Sequence, residues 1–101
     1  MRMLLFFDLP RDTAKQRAAA TKFVKDLTKQ GFIMLQESVY CKLSLNPSSL
    51  ELQKAAVKKV KPNEGSVLLL TVTEKQFNSM EILLGSLESR QVSNTERMLF
   101  V

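Results

Sequence analysis

Met3-Leu4-Leu5-Phe6-Phe7-Asp8-Leu9-Pro10 is the stretch on which the fold turns. Five apolar residues run without a break and stop at one carboxylate. Such a run fits a strand buried on both faces. A charge is costly inside it, so Asp8 belongs at its very end, at an opening. Pro10 has no N–H and biases Leu9 away from helical angles, which ends the strand there. A carboxylate at the tip of a central strand suits a divalent metal or a proton-transfer step. It also suits a structural role, bonding the amides of the next loop. The sequence leaves both open.

From that strand outward, the order of elements follows. A helix is expected from Asp12 or Thr13 to Lys29, with Asp12 as N-cap and Ala20, Phe23, Val24 and Leu27 on one apolar stripe. Gly31 stops it. Phe32 to Leu35 reads as a second strand and Ser38 to Leu45 as a third. In the third, Val39, Cys41, Leu43 and Leu45 alternate with more polar residues and form its expected core face. Asn46-Pro47 starts a second helix running to about Val60, with Leu50, Val57 and Val60 inward. Ser66 to Thr73 is a fourth strand, apolar at its centre. Thr73 and Gln76 match a capping box for a helical turn or two. Met80 to Leu84 reads as a short fifth strand, Ser86 to Glu96 as loop, and Met98-Leu99-Phe100-Val101 as an apolar tail. The order β-α-β-β-α-β is the α+β, ferredoxin-like arrangement: a four-stranded antiparallel sheet with two helices on one face, here with a C-terminal edge strand. Residues 1–101 are expected to form a single domain, with 86–101 as an extension.

Composition narrows the chemistry. The chain has 101 residues, 45% hydrophobic, enough for one modest core. No apolar run approaches the roughly 18 residues of a membrane span, and the N-terminal run is too short for a signal peptide. With the lone Cys41, this points to a reducing, cytoplasmic setting and no membrane partner. There is no histidine, which removes His metal sites and Ser-His-Asp triads. Any metal would be held by oxygen, favouring Mg2+ or Mn2+ over zinc. Net charge is +5 and uneven: residues 1–61 carry 12 Lys/Arg against 5 Asp/Glu, whereas residues 62–101 carry 3 against 5. A polyanionic partner on one side explains this, and so does a solvated, Lys-rich helix surface.

Two helices cover one face of a four-stranded sheet, yet strands one and four are apolar on both faces. About four large side chains are then left on the open side. At ~1.5–3 kcal/mol for each fully buried side chain, leaving them wet forfeits roughly 6–12 kcal/mol, comparable to the stability of a small domain. A second copy, face to face about a two-fold axis, would cover them. The tail 98–101 would add an edge strand in trans, or pair with its own sheet. Near such an axis two copies of Asp8 approach, and a shared cation would relieve their repulsion.

The strand ending in Phe7-Asp8-Leu9-Pro10, the basic helix, Gly31-Phe32, Leu35-Gln36-Glu37-Ser38-Val39-Tyr40, the strand 66–73 and the apolar tail together resemble the CRISPR-associated protein 2 family, in its type II variant. The resemblance spans essentially the whole chain. It implies a ferredoxin-like homodimer with Asp8 binding magnesium across the two-fold. It implies metal-dependent endonuclease activity on single-stranded RNA or double-stranded DNA, with Asp8 as the catalytic ligand. It also implies a bridge between units of the integrase CRISPR-associated protein 1 during spacer acquisition. Tyr40 carries over as the aromatic of the Ser-Val-Tyr segment, and Arg11 and Arg17 as phosphate contacts by loose positional similarity. Other members carry Tyr-Asp where this chain has Phe7-Asp8.

Three readings emerge. In the first, the dimer is a scaffold holding duplex DNA through phosphate contacts from Lys15, Lys22, Lys25, Lys58, Lys59 and Lys61, without base specificity. In the second it is a Mg2+-dependent nuclease with Asp8 as ligand. In the third it is a small ferredoxin-like regulatory module that binds a ligand and has nothing to do with nucleic acid.

Overall fold

The computed structural model describes residues 1–86. Strand β1 (Arg2–Asp8) lies inside a four-stranded sheet of order β2-β3-β1-β4, between β3 (Val39–Leu43) and β4 (Ser66–Val72). The β2 strand (Ile33–Gln36) forms the other edge, and every pairing is antiparallel. Helices α1 (Ala14–Lys29) and α2 (Pro47–Val60) complete the ferredoxin-like βαββαβ order, and a short α3 (Glu74–Asn78) follows.

The odd residues of β1 set the main core. Met3, Leu5 and Phe7 pack with Phe23 and Leu27 of α1, Leu50 and Val57 of α2, and Tyr40. Tyr40 joins them because it pairs with Leu5 across β1 and β3. Its ring stacks on Phe7 at 5.6 Å, and Phe23 meets Phe7 edge-on at 5.3 Å. The expected inward residues Ala20, Phe23, Leu27, Leu50 and Val57 are buried, and Val24 and Val60 pack at the margin.

The other face holds the surprise. Leu4, Leu35 and Cys41 are buried there beneath Phe77 of α3. Arg2 fastens the helix: its Nη2 and Nε donate to Glu74 at 2.8 and 3.0 Å, and its guanidinium carbon lies 4.3 Å from the Phe77 ring centroid. The capping box of Thr73 and Gln76 is present as expected. The open surface is therefore smaller than two helices alone would leave. Leu4 is buried and Phe6 packs against the α3 cluster, while Leu68 and Leu70 on β4 remain 63% and 51% exposed.

Several expectations need correction. The N-cap of α1 is Thr13, not Asp12. Thr13 Oγ1 accepts the Gln16 N–H, and the Gln16 side chain reaches back to the cap, a Thr-x-x-Gln capping box. The alternation in β3 does not mark the main core. Register puts Tyr40 there, Cys41 goes to the α3 face, and Leu43 and Leu45 are exposed. No fifth strand forms at Met80–Leu84. Those residues pair with none of the four described strands, and Leu83 and Leu84 are exposed. The tail 98–101 and nearly all of the loop 86–96 lie outside the described residues.

Candidate functional site

Asp8 closes β1, paired with Ser66 at the start of β4. The ladder is extended at this end by the Phe7 N–H, which donates to the Ser38 carbonyl at 3.1 Å. Alternation along β1 places Asp8 with Leu4 and Phe6, on the side away from α1 and α2. The residue is exposed. Among the described residues its carboxylate has neither an ion pair nor a hydrogen bond, so it does not tie down the following loop. That work falls to Gln16, whose Oε1 accepts the N–H groups of Asp12 and Thr13 at 2.9 and 3.0 Å. Gln16 Nε2 also donates to Glu64 at 3.0 Å, linking the start of α1 to the turn before β4.

The topology gathers cations around this end. Helix α1 starts just after Asp8, and α2 finishes just before Ser66, so the first turns of one helix and the last turns of the other share the Asp8 end of the sheet. Arg11 comes from the loop before α1, Lys15 and Arg17 from its first turns, Lys58 and Lys59 from the last turn of α2 and Lys61 from its C-cap, all exposed. The α2 lysines also complement the negative end of the helix dipole. Arg17 is partly committed: its Nη1 donates to the carbonyls of Arg11 and Asp12 at 3.0 and 3.3 Å, bracing the loop. Lys22 and Lys25 sit further along α1, beside Arg17, Ala18 and Thr21 in a shallow depression. Lys22 pairs with Asp26 at 2.8 Å, a surface contact of small net energy. Sequence reading gave Lys54 no phosphate contact; paired with Glu51 at 3.4 Å, it rims with Lys58 and Lys61 a groove floored by Leu5, Val57, Val67 and Leu69 between α2 and the edge of β4. Its period-3.6 spacing with Lys58 and Lys61 was the available signal. It also passed over any role at the site for Gln16, Glu64 and Gly65, whose importance depends on two loops meeting.

As a donor set the site is sparse. No group of three or more His, Cys, Asp or Glu that could hold a metal occurs among the described residues. One free, exposed carboxylate does not make a protein cage. It does fit Mg2+, which keeps several waters and takes one or two carboxylates alongside phosphate oxygens.

The model of the family described as CRISPR associated protein Cas2 matches residues 1–80. The chain belongs to the Cas2 family. A CRISPR-associated endoribonuclease Cas2 from Streptococcus mutans is 46% identical over 101 residues, covering 100% of this chain and 93% of that protein. Another protein of that name, from Treponema denticola, is 44% identical over 99 residues, covering 98% of each chain. The crystal structure of Streptococcus pyogenes Cas2 at pH 6.5 superposes with a TM-score of 0.58 at 16% identity, covering 82% of this chain and 99% of that one. At that identity the match speaks for the fold, and it agrees with the ferredoxin-like topology. Family membership sets aside an unrelated small-molecule module. Within the described residues no helix is long and apolar enough to cross a membrane.

Proposed function

We propose that this Cas2-family chain acts in CRISPR adaptation as a homodimeric scaffold that binds duplex DNA and bridges units of the integrase CRISPR-associated protein 1. The observation that carries this reading is the convergence of Arg11, Lys15, Arg17, Lys58, Lys59 and Lys61 on one end of the sheet. Lys22 and Lys25 extend the basic surface along α1. Exposed cations of this kind contact phosphates and carry little base information. The exposed Leu68 and Leu70 supply an apolar strip for a second copy. The test is affinity for duplex DNA of several sequences between 50 and 200 mM salt, in the range where phosphate contacts change binding by orders of magnitude. Affinity should fall steeply with salt and vary little with sequence. A salt-independent constant refutes the reading.

A second activity, Mg2+-dependent phosphodiester hydrolysis of single-stranded RNA or duplex DNA, is favoured by the unpartnered Asp8 carboxylate and by the endoribonuclease name of the relatives. Bound Mg2+, or Mn2+ in its place, would polarise a phosphoryl oxygen and lower the pKa of a water. Asp8 would hold the cation at the strand tip. Arg11 and Lys15, from the loop and helix that follow, would orient the phosphate backbone. With one carboxylate per protomer, the partner's matching carboxylate would complete the site across the two-fold.

A further inference from the structure

The turn between α2 and β4 presses on the backbone of Asp8. A Cβ built on Gly65 would lie 2.6 Å from the Asp8 carbonyl oxygen and 3.0 Å from both Leu9 Cδ2 and Pro10 Cδ. Gly65 also has φ +95, a conformation that side chains resist. The obstructing atom is backbone, so no rotamer change relieves the contact. Either the strand tip or the turn must move by several tenths of an ångström. Asp8–Ser66 is the last pair of the β1–β4 ladder, and on the β3 side the last bond is that of Phe7 to Ser38, one residue short of Asp8. On the other side of the turn, Glu64 accepts the hydrogen bond from Gln16, and Gln16 in turn gathers the amides of Asp12 and Thr13. The turn is thus tied to α1 through Gln16 and packed against β1 through Gly65.

We propose that this turn is the seat of Asp8, with Gly65 as the positioning residue that fixes where the carboxylate sits and Gln16 as the tie that holds the turn in place. The inference rests on the reading of Asp8 as a metal ligand. Groups that orient a ligand typically change metal affinity by about 10- to 100-fold when altered, and a side chain at Gly65 acts on the ligand's own backbone.

The experiment is titration of Mn2+ into the full chain, followed by electron paramagnetic resonance, for the wild type, Asp8→Asn, Gly65→Ala, Gly85→Ala and Gln16→Glu. Gly85 is the control, since its φ is +86 yet nothing lies within 4 Å of a Cβ there. Gln16→Glu preserves the capping box, in which Glu serves as well as Gln, but sets a carboxylate against Glu64. Gly65→Ala should bind Mn2+ about tenfold or more weakly, Gln16→Glu should bind several-fold more weakly, and Gly85→Ala should match the wild type. If Asp8→Asn abolishes binding while folded Gly65→Ala binds normally, the positioning role is overturned and the metal reading stands. If Gly85→Ala weakens binding as much as Gly65→Ala, backbone strain alone suffices and the role is again overturned. Should Gly65→Ala not fold, Gln16→Glu decides: weakened binding supports the seat and unchanged binding overturns it. If Asp8→Asn leaves binding unchanged, the metal reading fails and this inference falls with it.

Discussion

Replacing Phe77 with alanine should detach α3 from the sheet. The ring is 2% exposed and covers Leu4, Leu35 and Cys41. Truncating a core Phe to Ala costs about 3–5 kcal/mol, and losing the Arg2 cation over the ring adds ~0.5–2 kcal/mol. The contacts left to the helix include a capping box, worth about 0.5–2 kcal/mol, and the Arg2–Glu74 pair, whose acidic partner is partly exposed. Hydrogen bonds to charged groups contribute ~1.5–3 kcal/mol at best. Ordering the backbone of the five residues of α3 costs roughly 1–2 kcal/mol each. Without the ring the balance turns against the helix. Two measurements check this. Urea unfolding at fixed protein concentration should show a drop in stability of about 3–5 kcal/mol. A thiol reagent under native conditions should leave Cys41 untouched in the wild type and modify it in Phe77→Ala, because this is the single cysteine and it is fully buried. A drop under about 1 kcal/mol, small beside ordinary core truncations, together with an unreactive thiol, would refute the assignment of Phe77 as the anchor.

Burial pushes the Cys41 thiol above its ordinary 9.0 and the Tyr40 phenol above its ordinary 10.0, so between folded and unfolded values the native state binds the extra proton and stability falls as pH rises. Tm should hold up to about pH 8, below the ordinary thiol value, and decline beyond it, with Cys41→Val delaying the onset towards the range of Tyr40. The pair Leu68→Glu and Leu70→Glu should convert the proposed dimer to monomer in sedimentation equilibrium while circular dichroism stays unchanged; a dimer that persists in the variant would place the interface elsewhere. The triple change of Lys58, Lys59 and Lys61 to Gln should flatten the log–log salt dependence of duplex binding by about 0.9 for each phosphate no longer neutralised, whereas an unchanged slope would remove the α2 terminus from the interface.

Much of this was written locally in the chain. An unbroken apolar run ending in Asp8-Leu9-Pro10 fits a strand buried on both faces, and β1 is flanked on both sides. Helix stripes and caps are local too, so Asn46-Pro47 and the Thr73–Gln76 box were legible. Asp8 and the lysines could be named because charge at a strand tip and charge on a helix are visible without a fold.

What the residues alone left undecided was every matter of pairing and close approach. Alternation in β3 shows two faces but not which one meets the helices; the register of Leu5 against Tyr40 chose, sending Leu43 and Leu45 to the surface. Arg2 and Glu74 are 72 residues apart, so nothing local announces that they clamp α3 across the second face. Gly65 looks like any turn glycine until the Asp8 carbonyl is seen beside it. Periodicity is a property of one segment, whereas a steric meeting belongs to two, and only the packed chain brings the second one into place.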